Sequence, residues 1–218
     1  LAGVELATEE INAQGGIHGR EVELYVEDDQ CTSTSVTVIQ TLINIDDVDG
    51  IVGPVCSSAA GPALPVAAAD GVPLILIGAS APDLTSYGDN IFRVYPSDAL
   101  QGVEAAKYMV EEEGHEKIAI LYVKNDWGEG IYNVFKEEAE SLGAEIVYTS
   151  GALQDDVDFK TEVTKLESLD VDAVYLPLYP NGNIAFFKQM EEQELEIPIY
   201  GGDSMSGEEV VTSGYGDG

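Results

Sequence analysis

The sequence predicts an α/β fold made of two doubly wound parallel-sheet lobes, incomplete at both ends. Three observations lead there. Short apolar runs alternate strictly with helical patterns along the chain. Several runs lack polar alternation, as Leu74-Ile75-Leu76-Ile77 shows, which suits parallel strands buried on both faces. Residues 93–102 read as a crossing between sheets: a strand, then Pro96-Ser97-Asp98, then a fresh helix. The expected division is residues 1–95 and residues 96–218.

The chain opens inside a helical pattern, with Leu1, Val4, Ala7 and Ile11 on one face and Gly15-Gly16 as its stop. Strands are expected at residues 22–26, 50–52, 73–77, 91–94, 118–123, 145–149, 173–178 and 199–200. Helices are expected at residues 35–45, 58–69, 98–113, 130–142, 158–169 and 183–193. Gly71, Gly114 and Gly143 end three of them. The chain closes on Gly214-Tyr215-Gly216-Asp217-Gly218 with no final element in the pattern. Together with the missing initiator Met, this reads as a fragment of a longer protein.

Composition narrows the function. The 218 residues are 44% hydrophobic, enough for a sizeable core. Against 41 acidic residues stand nine Lys plus Arg, a net charge of −32. Such a surface repels nucleic-acid phosphates and anionic membranes. Apolar segments recur throughout, so the acids read as solvated helix faces rather than disorder. Dense carboxylates holding hydrated cations suggest a halophilic source. The sequence contains no transmembrane run and no signal peptide. Spacing leaves Cys31 and Cys56 open between two buried thiols and a disulfide. A disulfide would close a loop of about 26 residues and stabilise by roughly 3–4 kcal/mol.

In open parallel sheets, ligands sit beyond the carboxyl ends of the strands. The segments there are Cys56-Ser57-Ser58, Gly78-Ala79-Ser80-Ala81, residues 124–130, Leu178-Tyr179-Pro180-Asn181 and Gly201-Gly202-Asp203-Ser204. Ser57 and Ser58 stand where a strand gives way to a helix, which favours an anion; either would also serve as an N-cap. Ser80 adds a hydroxyl or forms a turn. Asp203, between flexible glycines, suits an ammonium, a cap or a turn. Trp127 and Tyr179 would cover a ligand or pack beneath their loops. Taken together, anion donors from one lobe face a carboxylate and two aromatics from the other. That describes a clamp for a zwitterion.

At these residues the chain resembles the branched-chain amino-acid (Leu/Ile/Val) binding proteins, of type I periplasmic binding protein fold, which feed ATP-driven importers. The similarity covers essentially the whole chain. It begins with Glu10-Ile11-Asn12-Ala13-Gln14-Gly15-Gly16-Ile17-His18-Gly19 and continues through Asp28-Asp29-Gln30-Cys31 and Val55-Cys56-Ser57-Ser58. The resemblance implies a Cys31–Cys56 disulfide and a place outside the cytoplasm, lipid-anchored in the full-length protein. It implies that Ser57 and Ser80 hold an amino acid's carboxylate with backbone help around Ser58. It also implies that Gly78, next to Ala79, offers a carbonyl to the ammonium, that Asp203 pairs with it, and that Tyr179 and Trp127 close over the ligand. The implied partners are an amino acid and an ABC transporter permease, acting on a monomer with no cofactor or metal.

Ser80 departs from a commoner Thr, Asp203 from a longer Glu, and Trp127 from Tyr, so the clamp is kept while branched-chain selectivity stays open. Two rivals remain. A sensor or receptor module, including amide sensors, shares the fold. An esterase reading of Gly202-Asp203-Ser204 needs a His base, and only His18 and His115 are present, both expected at the opposite end from the cleft.

Overall fold

A computed structural model describes residues 1–216; Asp217 and Gly218, the tip of the expected open terminus, lie outside the described residues. The elements run α1 (Ala2–Ala13), α2 (Ser35–Asn44), β1 (Ile51–Val52), α3 (Ser57–Asp70), β2 (Leu74–Leu76), β3 (Ile91–Arg93), α4 (Asp98–Lys107), β4 (Lys117–Val123), α5 (Asp126–Ser141), β5 (Glu145–Ala152), α6 (Lys160–Glu167), β6 (Ala173–Leu176), α7 (Pro180–Glu192), β7 (Ile199–Gly201) and α8 (Glu208–Val211). A π-helical turn, Tyr108–Glu112, extends α4. Gly71, Gly114 and Gly143 all take positive φ, the backbone form that ends a helix at little steric cost.

The strands form two all-parallel sheets, β1-β2-β3 and β5-β4-β6-β7. Each sheet has its own apolar core. Ile51, Leu74, Leu76 and Ile91 pack with Ala63, Leu64 and Ala67 of α3 and Ile39 of α2. Ile118, Ile120, Val174 and Leu176 pack with Ile131 and Phe135 of α5 and Phe186 of α7. In the second sheet, β5 flanks β4 on one side and β6 on the other, so the connections leaving β4 and β6 diverge. The carboxyl ends of β4 and β6 are therefore a topological switch point, the place where open α/β sheets generally receive ligands.

Two expectations are corrected. Residues 22–26 form no regular element and pair with no strand among the described residues. A β-propensity run becomes a strand only when a ladder partner accepts its N–H and C=O groups. What holds the segment is Asn12, whose side chain donates to the Val22 carbonyl at 2.9 Å and accepts from its N–H at 2.7 Å. The run Leu74-Ile75-Leu76-Ile77 is covered on one face only. Ile75 stays 38% exposed and its neighbour on β3, Phe92, 52% exposed. Helices α2 and α3 cover the opposite face, and no described element covers this one.

Candidate functional site

Cys31 and Cys56 form a disulfide with Cα atoms 5.3 Å apart, within the ordinary span. It ties the loop before α2 to the start of α3, and the Ser58 hydroxyl adds a 3.1 Å hydrogen bond to the Cys31 carbonyl. Cys56 is therefore the residue preceding the helix, and Ser57 opens its first turn. The amides of Ala59 and Ala60 turn back to the Cys56 carbonyl. Those of Ser57 and Ser58 belong to the first-turn donors that a helix cannot satisfy itself.

The Ser57 hydroxyl is buried and accepts from the amides of Ser80 and Ala81, both at 3.2 Å. The loop after β2 is thus locked to the start of α3, and Ser57 keeps its own O–H proton to donate. Gly78 permits this approach: a Cβ there would lie 2.8 Å from Cγ1 of Val55. Ala79 is fully buried beneath the loop.

From Ser80 the contacts cross to the other sheet. The Ser80 carbonyl accepts from the amide of Asp98, the first residue of α4, at 2.9 Å. Arg93 donates to the carbonyls of Ser80 and Ala81 at 3.0 and 2.8 Å. Gln101, one turn along α4, donates to Oδ1 of Asp98 at 3.1 Å and accepts from the Asp203 amide at 2.6 Å. The Asp203 carboxylate is exposed and accepts from the Tyr95 hydroxyl at 2.9 Å. That hydrogen bond and the Asp203 charge raise the Tyr95 phenol above its usual value.

The aromatic candidates follow β4 and β6, at the switch point. Asn125 caps α5, its Oδ1 accepting from the Gly128 amide at 3.0 Å. Helix α5 thus begins four residues earlier than its periodicity suggests, because Gly128 and Gly130 weaken the helical signal. Trp127 falls in its first turn rather than in a loop. It is largely buried and stacks on Tyr179, ring centres 4.9 Å apart and planes 12° apart. Asn125 also donates to the Tyr179 hydroxyl at 3.1 Å. Burial, aided by the Asp98 and Asp203 charges, raises the Tyr179 phenol although Asn125 opposes.

The lobes also touch through glycines. A Cβ on Gly61 of α3 would lie 3.0 Å from Oδ2 of Asp126, and one on Gly130 of α5 would lie 2.9 Å from Cδ of Pro82.

Hydrogen bonds thus link Ser57, Ser80 and Asp203 through Asp98 and Gln101, while Trp127 and Tyr179 form a separate stacked pair whose phenol feels the Asp98 and Asp203 charges. The Ser58 side chain is spent on the Cys31 carbonyl. These residues line neither of two cavities in the molecule. One, of about 970 Å3, lies between residues 22–26, α2 and β1; the other, of about 330 Å3, lies beside Lys188 and Tyr215. Sequence reasoning missed Tyr95, Asp98, Gln101, Asn125 and Tyr175. Asp98 was expected only as the start of a helix, where an acid is ordinary. The Ser204 hydroxyl donates to the Leu178 carbonyl at 2.6 Å, and His115 meets the Tyr200 hydroxyl at 2.9 Å, so neither is arranged as a nucleophile with its base.

Comparison with known proteins agrees with this architecture. The family model described as periplasmic binding protein matches residues 1–217. The chain is 31% identical over 211 residues to a leucine-, isoleucine-, valine-, threonine- and alanine-binding protein of Pseudomonas aeruginosa, covering 96% of this chain and 57% of that protein. A branched-chain amino acid transporter substrate-binding protein of Streptococcus pneumoniae, solved with isoleucine, superposes with a TM-score of 0.83 at 32% identity, over 97% of this chain and 60% of that one. A leucine-binding protein of Thermotoga maritima shares the fold, with a TM-score of 0.87 at 23% identity and the same coverage. The chain thus spans under two thirds of the length of these proteins. With two parallel sheets joined through a serine loop and an acid-bearing crossing, and a match along almost its whole length, it belongs to the periplasmic binding protein family, in the group that includes the Leu/Ile/Val-binding proteins.

Proposed function

We propose that this chain is the ligand-gripping part of an extracytoplasmic solute-binding protein. It captures an amino acid reversibly, without chemistry, and presents it to the permease of an ABC importer. The lobes, residues 1–95 and 96–218, close around the ligand. Ser57 and Ser80, with the first-turn amides of α3, receive the carboxylate. The Gly78 carbonyl and Asp203 receive the ammonium, and the stacked Trp127–Tyr179 pair walls the side chain. Closure expels water and strengthens both charge contacts. The observation that carries this reading is the chain of contacts Ser57–Ser80–Asp98–Gln101–Asp203, which joins the first turn of α3 beside one sheet to a carboxylate beside the other. The amino acids named for the relatives support the ligand class.

The whole protein is read as a lipid-anchored monomer from a halophilic source, with no nucleic-acid partner. Calorimetry of the full-length protein against the amino acids, in molar salt, tests the ligand class. Asp203→Ala should leave the melting curve unchanged and weaken binding by about 2–5 kcal/mol, as expected for losing one member of a charge pair. Unchanged affinity would remove Asp203 from the ammonium site. With a net charge of −32, the melting temperature should climb from low to molar salt as the carboxylates are screened. Equal stability in both would remove the halophilic reading.

A further inference from the structure

Asp98 is a buried acid that the zwitterion clamp does not use. The residue is 2% exposed, and its Oδ2 has no hydrogen-bond partner. A carboxylate oxygen shut away from water without a donor is costly, so its environment needs a reason. From its own helix, Gln101 reaches Oδ1. The first sheet contributes the Ser80 loop and Arg93, but the Arg93 Nη1 is already spent on the Ser80 and Ala81 carbonyls. From the second sheet come Asp203, itself held by Tyr95, and the phenols of Tyr175 and Tyr179, both of which feel the Asp98 charge. The Tyr175 hydroxyl is also buried without a partner. Two carboxylates thus lie near one another, bridged by Gln101, and Asp98 has no ion-pair partner among the described residues.

We propose that Asp98 is a second carboxylate of the cation subsite, sharing the ligand's ammonium with Asp203, and that it gives up a proton as the ligand binds. The proposal rests on the amino-acid reading of the site. Burial is the chief influence on Asp98 and lifts its carboxyl to about 6. The Asp203 charge adds to this, while the nearby Ser80 hydroxyl, Arg93 and Gln101 pull the other way, without any of them closing a hydrogen bond on Oδ2. An incoming ammonium places a positive charge and N–H donors beside that bare oxygen, which favours the ionised form. The step balances as a neutral carboxyl plus an ammonium giving an ion pair and one proton to water. Gln101 couples the event to the clamp, because the same amide holds Asp98 and the Asp203 backbone.

The test is calorimetry of the full-length protein with leucine, isoleucine and valine at pH 5, 6 and 7.5, in buffers of differing ionisation enthalpy. Binding should release about half a proton at pH 6 and almost none at 7.5. Affinity should fall about tenfold from pH 7.5 to 5, the factor expected when a ligand must displace a proton held at about 6. Asp98→Asn, checked for fold by its melting curve, should release no proton and show a flat profile. That variant separates Asp98 from His18 and His115, which it leaves in place. Buffer-independent heats with a flat wild-type profile would overturn the proposal while leaving the amino-acid reading standing. So would an unchanged slope in Asp98→Asn. Binding of none of the three ligands at any pH would overturn both. Should Asp98→Asn not fold, the wild-type proton count decides alone.

Discussion

The two sheets turn similar sequence into different surroundings. In the second, β6 is buried along all four residues and β4 along most of its length, with helices on both faces. In the first, β2 alternates buried, exposed, buried, although its residues are all aliphatic. An apolar run records that a strand can be buried on both faces; coverage is decided by which helices lie across it. The first sheet has α2 and α3 on one side, and a covalent tie, Cys31–Cys56, at its edge. The difference suggests that packing stabilises the second lobe and that the disulfide carries a larger share in the first.

The largest effect expected from this contrast lies in the second core. Phe135 is fully buried and stacks on Tyr175 with ring centres 4.1 Å apart. Phe135→Ala should cost about 3–5 kcal/mol in a denaturant titration, whereas Ile75→Ala on the bare face should cost under about 1 kcal/mol. Equal losses would show that the first sheet's outer face is covered in solution, and the contrast would fail. Next comes the tie itself. Cys31→Ser with Cys56→Ser should cost about 3–4 kcal/mol, read as a lowered melting temperature that added reductant reproduces in the parent. A loss confined to exchange protection in residues 35–93 would sharpen the assignment to the first lobe.

The smallest of the three falls at the junction. Asp98 holds its proton more tightly when folded than when unfolded, so stability is full below about pH 4 and is lost as pH rises through about 6. Asp98→Asn removes that loss. The variant should exceed the parent by about 2–3 kcal/mol at pH 7.5 and match it near pH 4. A variant less stable at pH 7.5 would mean that the buried charge is compensated in the folded state.

Much of the fold was legible because parallel strands and their helices leave a strong local pattern. Seven of the expected strands form within a few residues of their limits, and only residues 22–26 do not. That failure is instructive: pairing is a property of two segments, and the sequence of one cannot supply the other. Ser57, Ser80, Tyr179 and Asp203 were singled out because they were expected after strands, and they do come after β1, β2, β6 and β7. The site was not legible where a residue acts through a neighbour distant in sequence. Gln101 looks like any polar residue on an exposed helix turn until its amide is seen between Asp98 and Asp203. Trp127 was placed at the correct end of its sheet but in the wrong element, since two glycines disguised the start of α5.

The bare α-carbons of Gly61 and Gly130 have a consequence for how such a jaw can evolve. The space between α5 and the Ala81-Pro82 turn is already filled to the width of one methyl group. A Cβ at Gly130 would stand 2.9 Å from Cδ of Pro82, so any side chain there forces α5 or that turn to shift. The fit between the two sheets is therefore exposed to mutation at a glycine outside the candidate site residues.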